Sequence, residues 1–296
     1  MNLAPFGLTR RPFRPTPDTD AYFSAPSHDA ALAGLRQAFA ARDGLALVDG
    51  DPGSGKTLVA LKFLEGLDAD VPRVLVPAAR FARPADLLQA ILFDLGAEYR
   101  GLTETELRLS VTEQLLTKLV AGGPTVVVLD EAQHLSDDLL EEVRLLGNLE
   151  TRSAKAAFVV LVAQPSLRAR LGQPDLAAVA QRIGVRCRLE PLAPDESAGY
   201  LRHQLRAAGG DPDELLTEEA AHLLAVQCSG VPRVLNQAAA LALTLAGDAG
   251  EQTVDVEAAV EALARLGRPT DLPDAEPAKA AKPARVKVRL PRRKSA

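Results

Sequence analysis

The chain has 296 residues, 47% hydrophobic and 25% charged, a composition typical of folded globular proteins that excludes disordered and collagen-like chains. Its formal net charge of −5, taken alone, argues against a dedicated nucleic-acid-binding protein, because such proteins are usually basic. Two cysteines, Cys187 and Cys228, are too few for a disulfide framework, so we expect a reducing, cytoplasmic location. The proline-broken start predicts no signal peptide, and the short apolar runs predict no membrane span.

Residues 1–27 are rich in proline and lack helical or strand periodicity, so we predict a mostly extended N-terminal wrapping segment. It holds four aromatic residues that should pack onto the rest of the protein: Phe6, Phe13, Tyr22 and Phe23. An amphipathic helix is predicted over 28–41, with Ser27 as its N-cap.

From residue 45 onward, apolar strand-like runs alternate with helical stretches. The predicted strands are 45–49, 73–77, 125–130, 157–163 and 185–190. The predicted helices between them are 56–67, 84–95, 104–120, 137–151 and 175–183. Three of the strands are apolar on both faces, as expected for a parallel sheet that helices cover on both sides. Residues 28–190 are therefore predicted to form an α/β three-layer sandwich.

After residue 190 the strand-like runs stop. Four further helices are predicted, at 194–208, 217–229, 232–246 and 254–266. We therefore predict a separate all-helical domain over 191–267 and a disordered tail over 268–296. Residues 279–296 hold eight basic and no acidic residues, so the preceding part of the chain carries −13. A basic arm can contact DNA phosphates, anionic lipid or a protein partner, or can act only as a solubilising tail.

The run Gly50-Asp51-Pro52-Gly53-Ser54-Gly55-Lys56-Thr57 fits the pattern G-x-x-x-x-G-K-[ST], between a predicted strand and a predicted helix. Glycines let successive backbone amides converge on phosphate groups, and the helix N-terminus adds its positive dipole end. Lys56 is expected to reach the β- and γ-phosphates of ATP, and the Thr57 hydroxyl to ligate Mg²⁺. Leu58 completes the predicted nucleotide-binding segment.

A second motif follows the strand 125–130, which ends in the carboxylates Asp130 and Glu131. Asp130 is expected to hold Mg²⁺, and Glu131 to act as the general base that activates the attacking water. The strand at 73–77 falls between the two motifs, and the carboxylate beside Asp130 is a glutamate. Both features favour a water-activating ATPase over a small-molecule kinase.

Further segments accompany these two motifs: FGLTRRPFRPTPDTDAYFSAPSHDAAL, VVVLDEAQHLSDDLLEEVRLLGNLET, LVAQPSLRARL, QRIGVRCRLEPL and SGVPRVLN. With GDPGSGKT, they make residues 6–266 resemble the AAA+ ATPases of the ExeA/GspA type. That family is associated with the general secretion pathway, and its relatives include ATPases that serve DNA transposition. The resemblance implies a P-loop NTPase fold of the AAA+ type with a C-terminal all-α lid domain.

The resemblance also implies roles for residues outside the two motifs. Gln164 would be the sensor at the end of the fourth strand, in contact with the γ-phosphate or the attacking water. Arg233 would be the sensor arginine of the lid. Arg182 is the best candidate for an arginine finger that acts on a neighbouring subunit's nucleotide, with Arg186 and Arg170 as rivals. Such a finger implies a homo-oligomer with shared nucleotide sites.

One departure concerns the end of the second strand. In the family a polar turn usually follows that strand, whereas this chain has Pro77-Ala78-Ala79-Arg80. The polar residue that would restrain Glu131 is therefore not identified by sequence. The sequence implies an oligomeric, Mg²⁺-dependent ATPase that acts as a switch or remodeller. A DNA-associated ATPase similar to transposition helpers, and a nucleotide-gated switch without hydrolysis, remain as alternatives.

Overall fold

The computed structural model describes residues 6–152 and 154–271. One sheet contains five strands: β1 (Leu45–Gly50), β2 (Arg73–Val76), β3 (Thr125–Leu129), β4 (Ala157–Ala163) and β5 (Ile183–Leu189). All four pairings are parallel, and the order across the sheet is β2-β3-β4-β1-β5. Because the strands are parallel, the carboxyl ends of β1, β3 and β4 meet at one edge, where open α/β sheets bind their ligands.

Among the described residues, the α/β part contains seven α-helices: α1 (Pro26–Ala40), α2 (Lys56–Glu65), α3 (Pro84–Asp94), α4 (Glu104–Gly122), α5 (Asp137–Asn148), α6 (Pro165–Arg170) and α7 (Ala177–Arg182). Five more helices follow it, here called the lid: α8 (Pro194–Ala207), α9 (Pro212–Leu215), α10 (Glu218–Gln227), α11 (Pro232–Asp248) and α12 (Val256–Arg265). The predicted alternation of strands and helices, followed by helices alone, is confirmed.

Helices cover both faces of the sheet. Successive strand residues point to opposite faces, so Leu45 and Leu47 pack with α3, α4 and α5, whereas Ala46 and Val48 pack with α1 and α2. The central strands β1, β3 and β4 are buried throughout. This burial on both faces explains why their sequences are continuously apolar rather than alternating.

The structure corrects some predicted boundaries. Ser27 is not the N-cap of the first helix, because α1 begins at Pro26 after Ala25. A proline suits this first position, since its missing N–H has no partner to lose within the helix. The predicted helix 175–183 is a 3₁₀ turn, Pro174–Leu176, followed by α7, and β5 already begins at Ile183. The short helices α6 and α9 were not predicted.

The N-terminal segment completes the hydrophobic core of the lid. Phe6, Leu8 and Phe13 are buried in one cluster with apolar residues of α8, α10, α11 and α12. The prediction that Phe6 and Phe13 pack onto another part of the chain is therefore confirmed. Phe23 packs edge-on against Tyr200 of α8, with ring centroids 5.7 Å apart.

Hydrogen bonds fix the same segment along α8. The Thr9 N–H donates to the Ala208 carbonyl at 3.0 Å, and Arg10 Nε donates to the Ala207 carbonyl at 2.8 Å. In the other direction, Gln204 Nε2 donates to the Ala21 carbonyl at 2.9 Å. The segment is thus attached to the lid before the chain enters α1 of the α/β part.

Within the described residues, no helix combines the length and apolar character that crossing a membrane requires. The predicted basic arm, 279–296, lies outside the described residues, and so does most of the predicted tail.

Candidate functional site

A glycine-rich loop joins the carboxyl end of β1 to the first turn of α2. Gly53 and Gly55 have φ angles of +84° and +93°, a left-handed backbone that residues with a Cβ rarely adopt. A Cβ on Gly53 would also lie 2.7 Å from the Cβ of Arg233 in the lid. The two glycines therefore let the loop curl at the N-terminus of α2, where free backbone amides and the helix dipole favour an anion such as phosphate.

Lys56 opens α2 and directs its side chain back along the loop. Its Nζ donates to the carbonyl oxygens of Gly50 at 2.9 Å and Asp51 at 2.8 Å. Burial lowers the pKa of the Lys56 ammonium below its ordinary value, while the charges of Glu131 and Asp130 act in the opposite direction. The ammonium is therefore held at the loop, within the region where phosphate oxygens would lie.

Asp130 follows β3 and faces the second residue of α2. Its Oδ2 accepts a 2.6 Å hydrogen bond from Thr57 Oγ1, and its Oδ1 accepts a 2.8 Å hydrogen bond from the Glu131 N–H. Burial raises the pKa of Asp130, and these two hydrogen bonds oppose that rise. Hydroxyl and carboxylate oxygens are ligands that Mg²⁺ prefers, so this pair fits the metal predicted for it.

Glu131 has a left-handed backbone, with φ +56° and ψ +34°, which is uncommon for a residue other than glycine. The chain turns sharply here after β3 and enters a short 3₁₀ turn, Ala132–His134. The Glu131 side chain remains 44% exposed. Backbone strain of this kind is concentrated at functional sites, which agrees with a catalytic position for this carboxylate.

Gln133 joins Glu131 to the end of β4. Its Nε2 donates to Glu131 Oε2 at 2.5 Å, and its Oε1 accepts a hydrogen bond from the Gln164 N–H at 3.0 Å. Gln164 is the first residue after β4 and the N-cap of α6. It therefore lies at the strand end that the sequence predicted, close to the carboxylate loop.

The lid reaches the glycine-rich loop through the first turn of α11. The Arg233 N–H donates to the Gly53 carbonyl at 3.2 Å, and the Arg233 side chain is exposed. Its charge acts on Lys56 in the same direction as burial, lowering the pKa of Lys56. The predicted lid arginine thus lies beside the predicted phosphate loop.

The three candidate finger arginines differ in their contacts. Arg170 is engaged within its own chain, since its guanidinium donates to the Gln133 carbonyl at 3.1 Å and to Asp137 at 2.6 Å. Arg186 Nη2 donates to the Ala180 carbonyl at 2.7 Å. Arg182 is exposed at the end of α7. It directly precedes β5, so it lies at the amino end of that strand and not at the carboxyl edge of the sheet.

His28 is a site residue that sequence reasoning did not place. It is only 5% exposed, and its Nε2 lies 2.8 Å from the Ser54 carbonyl in the glycine-rich loop. Because a carbonyl only accepts, Nε2 must carry a proton there, which leaves Nδ1 to accept from Ser27 Oγ at 3.2 Å in the neutral ring. No sequence motif connects residues 28 and 54, since the partner is a backbone oxygen.

The matching family model is described as an AAA domain and covers residues 40–171. That range contains the glycine-rich loop, both carboxylates and Gln164. The chain carries an AAA domain. It is also 36% identical, over 234 residues, to General secretion pathway protein A of Aeromonas hydrophila. The aligned region is 78% of this chain and 42% of that protein, so the chain spans less than half of this relative's length. The match confirms the resemblance to the ExeA/GspA type.

Solved structures agree on the fold. Cdc6p from Pyrobaculum aerophilum has a TM-score of 0.68 with 16% identity, over 90% of this chain and 71% of that chain. The ORC1 protein of Aeropyrum pernix, solved in complex with DNA, has a TM-score of 0.64 with 21% identity, over 83% and 67%. These similarities confirm the P-loop sandwich of the AAA+ type followed by a helical lid.

Proposed function

We propose that this protein binds ATP with Mg²⁺ and hydrolyses it. The observation that carries this proposal is the meeting of four side chains at the carboxyl edge of the sheet, namely Lys56 and Thr57 on α2 with Asp130 and Glu131 after β3. The AAA domain match over residues 40–171 supports the same reading.

Nucleotide binding uses the loop from Gly50 to Thr57. The curled loop presents backbone amides to the phosphates, and the Lys56 ammonium contacts the β- and γ-phosphate oxygens. Thr57 and Asp130 would hold a magnesium ion, which would neutralise charge on the phosphates.

Hydrolysis proceeds by in-line attack of water on the γ-phosphorus, with no phospho-enzyme. Glu131 takes a proton from the attacking water, the new P–O bond forms, and the bond to the β-phosphate oxygen breaks to release ADP and phosphate. Gln164 contacts the γ-phosphate or the water from the end of β4. Arg233 reaches the phosphates from the lid, so that closure of the lid completes the site.

Arg182 is assigned as the finger that acts on the nucleotide of a neighbouring subunit. Its exposed position at the end of α7 supports a contact outside its own chain, whereas Arg170 is engaged internally. This assignment makes the protein a homo-oligomer with shared sites, acting as a switch or remodeller. The cytoplasmic location stays a prediction.

The test is the ATPase rate per subunit as a function of protein concentration. A shared site predicts a rate that rises with concentration and is lost in Arg182→Ala but kept in the matched control Arg186→Ala. A rate per subunit that is independent of concentration would contradict a finger acting between subunits.

Two substitutions separate binding from chemistry. Lys56→Ala should weaken ATP binding itself, measured by calorimetry. Glu131→Gln should keep ATP binding and lose most turnover, since a general base contributes about 10²–10⁴-fold. Unchanged turnover in Glu131→Gln would remove Glu131 from the role of base, and full affinity in Lys56→Ala would remove Lys56 from phosphate binding.

Tight ATP binding without measurable turnover in the unaltered protein would instead favour the nucleotide-gated switch without hydrolysis.

A DNA-associated role is the second candidate, and the basic run 279–296 favours it. Hydrolysis stimulated by DNA, with a steep loss on raising salt, would support this role. A chain ending at residue 278 is the matched control, because it removes eight basic residues and no acidic ones. No stimulation, or equal stimulation without residues 279–296, would favour a role in secretion, in line with the relative from Aeromonas hydrophila.

A further inference from the structure

The side-chain amide of Gln133 has a fixed orientation. The backbone N–H of Gln164 can only donate, so the group that faces it at 3.0 Å must be the amide oxygen, Oε1. The NH₂ end is thereby turned towards Glu131 Oε2, which it reaches at 2.5 Å. Both ends of one amide are satisfied, one by a carboxylate and the other by the backbone at the end of β4.

The backbone of Gln133 is fixed as well. Arg170 of α6 donates to its carbonyl at 3.1 Å, and the same guanidinium is held by Asp137 at the start of α5. Gln133 is therefore anchored at main chain and side chain by residues that follow β4 and by the helix that follows the carboxylate loop. Glu131, by contrast, is partly exposed and leaves its strand through a strained turn.

We propose that Gln133 is the positioning residue of the catalytic carboxylate, and that it couples Glu131 to the strand end carrying Gln164. This inference rests on the proposed hydrolysis of ATP and deepens it. The segment that follows β2 reads Pro77-Ala78-Ala79-Arg80, and its Arg80 guanidinium lies 3.2 Å from His134 Nε2. The positioning group lies two residues after the carboxylate instead of on a neighbouring strand.

The chemistry of the contact supports this role. The amide N–H gives one oxygen of the Glu131 carboxylate a directed, charge-assisted hydrogen bond. The hydrogen bond also limits the rotamers of an otherwise exposed glutamate, so that its oxygens are held at one place. A displacement of Gln164 moves Gln133 Oε1 and hence Glu131, which ties the state of the β4 end to the base.

His134 is another polar neighbour of this carboxylate. Its Nε2 lies 3.9 Å from Glu131 Oε2, beyond hydrogen-bond distance, and 3.2 Å from Arg80 Nη2. The geometry therefore assigns the positioning role to Gln133. His134→Ala serves as the local comparison, because it alters the same loop and leaves the amide in place.

The first experiment is steady-state hydrolysis by Gln133→Ala, with Gln37→Ala on the exposed face of α1 as the matched control. We expect kcat to fall about tenfold or more in Gln133→Ala, with KM kept within about twofold, because the base is misplaced while the phosphate loop is intact. Gln37→Ala and His134→Ala should lose much less. A kcat that is unchanged or raised, or that falls together with the thermal unfolding midpoint, would overturn the proposal.

A second measurement does not depend on turnover. The side-chain amide signal of Gln133, observed by ¹H–¹⁵N NMR, should shift in Glu131→Ala, while the amide signal of Gln37 should not. If the unaltered protein hydrolyses no ATP, the proposed function fails and this signal alone decides the contact. An unshifted Gln133 amide would overturn the inference even in an active enzyme.

Discussion

The Thr57 hydroxyl donates a 2.6 Å hydrogen bond to Asp130, a residue 73 positions later in the chain. This single contact joins the first turn of α2 to the end of β3, and so joins the predicted phosphate loop to the predicted metal ligand. It also brings an oxygen pair that suits Mg²⁺ into a buried place, where burial raises the pKa of the Asp130 carboxyl. The charge of this predicted metal ligand is thus unfavourable for the fold.

Asp130→Asn should separate these two effects. The amide removes the buried charge, and its oxygen can accept from the Glu131 N–H while its NH₂ donates to the Thr57 hydroxyl, so we expect the free energy of unfolding at neutral pH to be unchanged or higher. Turnover should fall about 100-fold or more, because a neutral oxygen holds the metal and its phosphates poorly. Urea unfolding and a Mg²⁺ titration of the ATPase rate measure the two quantities. A large loss of stability together with normal Mg²⁺ dependence would contradict the assignment.

His28 predicts a pH dependence of stability. Burial lowers its pKa below 6.5, while the Ser54 carbonyl, Asp29 and Glu196 act in the opposite direction. The unfolded chain therefore binds a proton more readily than the folded protein, so the free energy of unfolding should fall as pH decreases below about 6.5.

His28→Gln should remove that part of the pH dependence, measured by urea unfolding at pH 7.5 and 5.5. His222→Gln is the matched control, because His222 is exposed on α10. Equal pH slopes in the unaltered protein and in His28→Gln would show that other groups carry the effect. ATP affinity should also fall in His28→Gln, since the Ser54 carbonyl loses its partner.

The aromatic residues of the N-terminal segment should carry lid stability. Phe13 is 3% exposed within the lid core, so we expect Phe13→Ala to lower the free energy of unfolding by about 3–5 kcal/mol. Phe93 at the end of α3 is 67% exposed, and Phe93→Ala should cost less than about 1 kcal/mol. Chemical unfolding of both variants gives the comparison, and similar losses would mean that the segment does not belong to the lid core.

An ion pair between a buried aspartate and a partly exposed arginine lies at the base of the phosphate loop. Asp49 is 0% exposed at the end of β1, and Arg168 Nε of α6 donates to its Oδ1 at 2.8 Å. Arg168→Met would leave the carboxylate buried without its partner, at a cost of about 3–5 kcal/mol. Arg188→Met is the matched control, because Arg188 forms an exposed pair with Glu190 and should contribute less than about 1 kcal/mol. The double variant Asp49→Asn with Arg168→Met should recover part of the loss, and no recovery would exclude the buried charge as its cause.

The sequence predicts the parts of this molecule whose signals are local. The loop from Gly50 to Thr57 can be identified in the sequence because phosphate binding requires glycines and a lysine at fixed spacing. Strand β3 can be identified because a strand buried on both faces has to be apolar. Alternation of such strands with helices was enough for the three-layer sandwich. The observed starts of α1 at Pro26 and of β5 at Ile183 differ from the predicted starts by two residues, because cap geometry and strand pairing determine these boundaries.

Other site residues could not be found in this way. His28 donates to a backbone carbonyl, and Gln133 accepts from a backbone amide. Because every residue offers such main-chain groups, these partners cannot be recognised from the type of residue. The contact of Arg233 with Gly53 likewise passes through its N–H. The roles of these residues depend on tertiary structure, which brings segments together that are distant in the sequence.

The attachment of the N-terminal segment to α8 also bears on how the protein is made. Thr9 and Ala208, which are hydrogen-bonded, are 199 positions apart. During synthesis, Phe6, Leu8 and Phe13 leave the ribosome long before any lid helix exists to cover them. Their apolar side chains stay exposed until almost the whole described chain has left the ribosome, so we expect the lid core to form last. Until then, the nascent protein should depend on chaperones.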